Sequence, residues 1–223
     1  MTLPLGVFGG TFDPIHCGHL ELAREVRKAL PLAAVRVIPA GDPPHRAAPV
    51  ATAAQRLAMV ELAVEGIDGL AADRREIDRA GRSYTVLTLA SLRDEFPTQP
   101  LALIVGADAF AGLPAWHRWT EIFALAHVVV VARPGQSLED SLPGPLRREW
   151  IARLANDPAQ LGAAPGGCII VQSITPHDIS ASSIRTQLAR GAPGIAAVRG
   201  LLPPAVLAYI GRNQLYRSRP DAT

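Results

Sequence analysis

Two imidazoles three residues apart, His16 and His19, follow a double glycine in the stretch Leu5-Gly6-Val7-Phe8-Gly9-Gly10-Thr11-Phe12-Asp13-Pro14-Ile15-His16-Cys17-Gly18-His19-Leu20. On the first turn of a helix an i, i+3 pair projects to one side, where both rings can donate to the same charged group. The glycines let backbone approach a ligand closely, loop N–H groups can converge on anionic oxygens, and the positive end of the following helix dipole adds attraction. This set of residues suits the binding of an anion such as a phosphate. Gly9-Gly10 alone would ordinarily be read as a plain strand-to-helix link. The string is not a Walker A loop, because no Gly-Lys-Ser/Thr follows, and it lacks the third glycine spacing of the dinucleotide fingerprint. A zinc site on His16, Cys17 and His19 would need further clustered ligands, and the other cysteine, Cys168, has no nearby partner.

A second informative stretch is Thr175-Pro176-His177-Asp178-Ile179-Ser180-Ala181-Ser182-Ser183-Ile184-Arg185. Serines ahead of the apolar spacing of Ile184 and Leu188 mark a helix N-terminus, and Gly191 marks its end. Capping explains any one serine. It does not explain Arg185, one turn in, which can reach the same anion that exposed N–H groups and hydroxyls bind.

The elements that must position these residues follow from periodicity. Leu5 to Phe8 reads as a strand. Gly18 to Leu30 reads as an amphipathic helix, with Leu22, Val26 and Leu30 inward and Glu21, Arg24, Glu25 and Lys28 outward, and Val35 to Ile38 as the next strand. That βαβ unit implies a parallel sheet whose ligand crevice lies at the carboxyl ends of its strands. The loop from Pro39 to Pro49 carries Pro43-Pro44-His45-Arg46. Two prolines there stiffen the backbone before two side chains that can face a ligand or simply solvent.

Helices are predicted over Ala53 to Val64 and Val86 to Phe96, the latter preceded by Ser83-Tyr84-Thr85, with a short strand within Leu70 to Asp78. Leu101 to Val105 is a buried-type strand ending in Gly106-Ala107-Asp108. An aspartate placed there suits a ribose hydroxyl or a helix cap. In Pro114-Ala115-Trp116-His117-Arg118-Trp119, Trp119 reads as core and Trp116 as a candidate ring platform. Thr120 to Ala126 continues as helix, and Val128 to Ala132 as strand. Gln136 to Gly167, with one weak helix near Leu146 to Leu154, reads as a surface insertion. Cys168 to Val171 is the last strand, and a final helix from Pro203 to Tyr209 is expected on the sheet edge.

The predicted fold is therefore α/β, a Rossmann-like open parallel sheet with helices on both faces. Residues 1–223 are read as one domain with a helical part from about residue 180, a length ample for a sizeable core. Twenty-two basic residues against 20 acidic ones leave the chain nearly neutral and exclude broad nucleic-acid binding. Two cysteines far apart point to a reducing compartment, and no leader or bilayer-length apolar stretch is evident, so a cytoplasmic location is expected. Assembly into a homo-oligomer is left open.

The first stretch resembles the (H/T)xGH signature of the nucleotidylyltransferase superfamily in its GGxFDPxHxGH form, and the second resembles the ISxxxxR signature of the same superfamily. The Pro-Pro-His-Arg loop, Ser83-Tyr84-Thr85, Gly106-Ala107-Asp108 to Trp116, Ala126 to Gly135 and Leu202 to Tyr216 are similar to the bacterial nicotinate-nucleotide adenylyltransferases. The likeness covers most of the chain outside Gln136 to Gly167. Phosphopantetheine adenylyltransferases and cytidylyltransferases share both end signatures, but the Pro-Pro-His-Arg loop and the Trp116 region argue against them. A non-catalytic nucleotide sensor could dispense with His19 or Arg185, and both are present.

The resemblance implies adenylyl transfer from ATP, with Mg²⁺ on the triphosphate and no protein metal ligand, to nicotinate mononucleotide, giving deamido-NAD and pyrophosphate. It implies catalytic roles for His16, His19 and Arg185. It implies contacts to ATP from Gly9, Gly10, Thr11, Phe12, Gly106, Asp108, Ile179, Ser180 and Ser183 as well. Contacts to the mononucleotide are implied for His45, Arg46, Thr85, Trp116 and His117. Such chemistry needs no general base, because a phosphomonoester with its second pKa near about 6 is already largely anionic at neutral pH.

Overall fold

In a computed structural model, residues 2–43, 48–135 and 138–217 are described. His45 and Arg46 lie outside the described residues. Six strands form one sheet: β1 (Leu5–Gly10), β2 (Ala34–Pro39), β3 (Leu70–Ala72), β4 (Leu101–Gly106), β5 (His127–Ala132) and β6 (Ile169–Ser173), in the order β3-β2-β1-β4-β5-β6. Every neighbouring pair is parallel. The order reverses between β1 and β4, the switch point at which doubly wound sheets open a crevice.

Both faces of the sheet are covered, and the strand sequences show how. Along β5, Val129 and Val131 face one core while Val128, Val130 and Ala132 face the other, and all five are buried. Hydrophobic residues on consecutive positions are what a two-sided parallel strand requires. The first face is packed by α1 (Cys17–Ala29), α2 (Ala53–Val64), α8 (Ala181–Leu188), α9 (Ala192–Ala197) and α10 (Pro204–Arg212). The second is packed by α4 (Thr85–Glu95), α5 (Ala107–Ala111), α6 (Ile122–Leu125) and α7 (Gly144–Arg153). One short helix, α3 (Arg75–Asp78), follows β3.

Several sequence expectations are corrected. The buried stripe of α1 is Leu20, Ala23 and Val26, with Leu22 only partly buried. The short strand expected within Leu70 to Asp78 is present as β3, but α3, which was not expected, follows it, because Asp73 accepts from the backbone N–H of Arg75 and turns the chain into a helical start. Trp119 is half-buried, edge-on to Phe123, and opens a 3₁₀ turn ahead of α6. The last helix packs on α2 and the first core face.

The region 138–167 is not a surface insertion. Leu138, Leu142, Leu146 and Trp150 are buried in the second core and Leu161 in the first, because β5 and β6 would otherwise expose apolar surface there.

Candidate active site

The loop between β1 and α1 is held in a conformation few residues adopt. Phe12 has φ of 49° and is buried, a backbone conformation that costs of order 1 kcal/mol or more and is kept by the surrounding packing. Gly10 makes room for it, since a Cβ there would lie 2.8 Å from the Phe12 ring. Gly9 differs, because a Cβ there would meet nothing within 4 Å, and the backbone faces open cleft.

His16 is the N-cap of α1, with extended backbone angles, and its N–H donates to Nδ1 of His19 at 3.2 Å. Because that nitrogen accepts, the proton of a neutral His19 ring sits on Nε2, so the side chain presents a donor. The two rings stack with centroids 3.6 Å apart and planes 23° from parallel, and Phe12 stands edge-on to His19 at 5.0 Å. His16 is 5% exposed, its Nδ1 has no hydrogen-bond partner, and burial pushes its pKa down to about 4. It is therefore neutral at pH 7. Cys17 between them is no ready nucleophile, since burial first and Glu21 second raise its thiol pKa.

Ser180 caps α8, accepting from Ser183 N–H at 3.2 Å, and Arg185 one turn later donates from Nη1 to the carbonyl of Asp13 at 2.7 Å. The segment entering α8 is anchored to α1, where Glu25 accepts from Thr175 N–H at 2.8 Å. Across the switch point, Gly106 caps α5, and Asp108 lies in its first turn rather than at the cap. Tyr84 caps α4, and the first N–H to bond back onto it is that of Leu87, which donates to the Tyr84 carbonyl at 3.0 Å, so the N–H groups of Thr85 and Val86 precede the helical hydrogen bonds. The Tyr84 and His117 rings lie 4.4 Å apart, next to the half-buried Trp116.

These elements enclose a cleft of about 750 Å³, a size usual for small-molecule sites. Its walls bring together Gly9, Gly10, Thr11, Phe12, His19, Gly106, Asp108 and Arg185 with Thr85, Trp116 and His117. His16, Ile179, Ser180 and Ser183 are absent from the lining: His16 is packed behind His19, and Ser180 is engaged in capping.

Three residues, Asp13 in the cleft wall and Arg56 and Tyr216 behind it, had no role assigned from sequence. Asp13 is buried, and its carboxylate accepts from Val50 N–H at 2.8 Å, Ala51 N–H at 3.1 Å and the Tyr216 hydroxyl at 2.6 Å. Arg56, 1% exposed, donates to the carbonyls of Thr11 at 2.8 Å, Gly41 at 2.9 Å and Ala51 at 3.3 Å. Burial lowers its pKa, opposed by Asp13, Tyr216 and Glu76. No spacing rule links positions so far apart; the one local signal was Arg56 inside an otherwise apolar helix face.

Residues 7–187 match the cytidylyltransferase-like family. The chain is 50% identical over 219 residues to a protein of Laribacter hongkongensis named as a probable nicotinate-nucleotide adenylyltransferase, covering 98% of this chain and 96% of that protein. A protein of the same name from Dechloromonas aromatica is 50% identical over 220 residues, covering 98% and 100%. Among solved structures, Plasmodium falciparum nicotinic acid mononucleotide adenylyltransferase complexed with NaAD superposes with a TM-score of 0.70 over 96% of this chain and 97% of that one, at 13% identity. At that identity the likeness speaks to the fold.

Proposed function

Because the chain belongs to the cytidylyltransferase-like family and, within it, to the nicotinate-nucleotide adenylyltransferases, we infer that it carries out their reaction. It transfers the adenylyl group of ATP to nicotinate mononucleotide, giving deamido-NAD and pyrophosphate in NAD biosynthesis. A phosphate oxygen of the mononucleotide bonds to the α-phosphorus of ATP, and the bond from that phosphorus to the bridging oxygen of pyrophosphate breaks. Both reactants are polyanions, so the requirement is positioning and stabilisation of charge rather than proton removal.

We assign the stabilising donor to His19, whose ring lines a cleft also lined by Arg185. That shared cleft wall is the observation that carries the assignment. Arg185 and the N–H groups of Gly10 to Phe12 are assigned to the triphosphate, and Asp108 to the ribose. His16, being neutral and buried, is assigned to holding the ring and tautomer of His19. Trp116 is assigned as the platform for the pyridine ring, and backbone N–H groups near Thr85 and His117 as partners of its carboxylate. His45 and Arg46 are proposed for the mononucleotide phosphate.

Among the described residues no three His, Cys, Asp or Glu converge as a metal cage, and the cleft's imidazole, guanidinium and N–H donors suit phosphate oxygens. Mg²⁺ would fit such a site held by the oxygens of the triphosphate, where it would neutralise charge. No helix among the described residues is long and apolar enough to cross a membrane. On the sequence reading alone, a cytoplasmic location and a single domain over residues 1–223 remain proposals. The test is to mix the protein with ATP, Mg²⁺ and a panel of phosphorylated acceptors and to measure pyrophosphate. Release with nicotinate mononucleotide above all others is expected; release with a phosphopantetheine or CTP-dependent pair instead refutes the reading.

A further inference from the structure

The cleft floor contains a polar centre, Asp13, Arg56 and Tyr216, whose side chains carry no assigned substrate contact. Asp13 and Arg56 between them receive or give hydrogen bonds at Thr11, Gly41, Val50, Ala51, Arg185 and Tyr216. Those partners are not scattered. Thr11 and Asp13 belong to the loop between β1 and α1, while Gly41, Val50 and Ala51 flank the segment after β2, whose residues Pro43, Ala48, Pro49 and Val50 line the cleft. Arg56 holds both flanks of that segment, Gly41 and Ala51, and ties them to Thr11 through one rigid guanidinium.

Tyr216, 203 residues along the chain from Asp13, closes this centre. Tyr216 is buried at a φ of 62°, and Gln214 two residues earlier has a φ of 52°. Backbone held in the left-handed region at two non-glycine positions needs tertiary contacts to keep it there. One such contact is the hydroxyl bond to Asp13 at 2.6 Å. Burial and that carboxylate push the Tyr216 pKa well above its ordinary value, so it remains a donor at any working pH.

We propose that Asp13, Arg56 and Tyr216 are positioning residues which fix the loop facing the triphosphate against the segment facing the acceptor, with Tyr216 as the latch supplied by the far end of the chain. The inference rests on the functional reading above. Neither Asp13 nor Arg56 needs to touch substrate: Asp13 acts through its carbonyl bond to Arg185 and through Val50 and Ala51, and Arg56 through Thr11. Loosening the centre leaves each half-site able to bind its own ligand but misaligns the attacking oxygen and the phosphorus.

Tyr216→Phe keeps the ring and removes only the hydroxyl; Arg56→Lys keeps the charge and loses the fork. With ATP, Mg²⁺ and nicotinate mononucleotide, and at a temperature well below each unfolding midpoint, kcat of Tyr216→Phe should fall about tenfold, because small misplacements cost rate steeply. Both KM values should change by less than kcat does. A merely structural hydroxyl would lower the unfolding midpoint and leave kcat in place. A change in kcat no larger than the change in either KM, with or without a lower midpoint, overturns the inference while the parent's activity stands. A parent that releases no pyrophosphate refutes the functional reading and this inference with it. Should Arg56→Lys not fold, Tyr216→Phe decides alone.

Discussion

The imidazoles of His16 and His19 lie face to face at 3.6 Å, one buried and neutral, the other on the cleft wall. Stacking at that distance disfavours a charge on both rings, and burial keeps His16 neutral. The i, i+3 pair is accordingly proposed to act as a donor, His19, and its backing, His16, rather than as two equal donors.

His19→Ala should therefore lower kcat about a hundredfold, the order expected when a donor aimed at developing charge is removed at roughly 3 kcal/mol. The ATP dissociation constant, measured by titration with a non-hydrolysable analogue, should change by about threefold or less. Equal losses in both would place His19 in ground-state binding.

The depressed pKa of His16 makes stability depend on pH with a definite sign. Below its ordinary value of 6.5 the unfolded chain takes up a proton that the folded ring refuses until about pH 4. Stability is therefore complete above pH 6.5 and declines as pH falls toward 4, by roughly 3 kcal/mol from this group. Burial lowers the pKa of His127 as well, in the same direction, so the comparison needed is parent against His16→Gln. Thermal midpoints from pH 7 to pH 4 should fall less steeply for the variant, and parallel curves would remove His16 as the source.

The proposed ring platform, Trp116, and the proposed carboxylate partners should make separable contributions. A site built of N–H donors accepts both oxygens of a carboxylate, whereas an amide turns an NH₂ toward donors at a cost of roughly 1 to 3 kcal/mol. The parent should prefer nicotinate over nicotinamide mononucleotide by about tenfold or more in kcat/KM. Trp116→Ala should weaken both acceptors while keeping most of their ratio, because stacking is indifferent to that substituent. A parent without preference would show the donor-only pocket to be wrong.

Leu146 reports on the region that the sequence suggested was peripheral. It is fully buried in the second core, so Leu146→Ala should cost about 2 to 5 kcal/mol in denaturant unfolding. A loss within about 0.5 kcal/mol, the usual range for surface positions, would return residues 138–167 to the periphery.

The sequence by itself determined the local and periodic features. The strand-glycine-helix start at Leu5 to Leu20, the helix Ala53–Val64 to the residue, and the valine run of β5 all follow from spacing and turn chemistry acting within a few residues. Glu21 and Lys28 outward on α1, and Ser180 as a cap, are decided the same way. What tertiary structure decided involves residues far apart in the chain. The sequence cannot say that His16 ends up buried behind His19, because that depends on Phe12 and the sheet beside it. It did not reveal Leu138 to Leu161 as core, since their apolar positions are separated by Pro, Gly and charge and gain meaning only against β5 and β6. Nor did it show that Tyr216 reaches Asp13 across 203 residues. Burial leaves a carboxylate and a guanidinium needing partners, and only the folded chain settles which donors and carbonyls are close enough to serve.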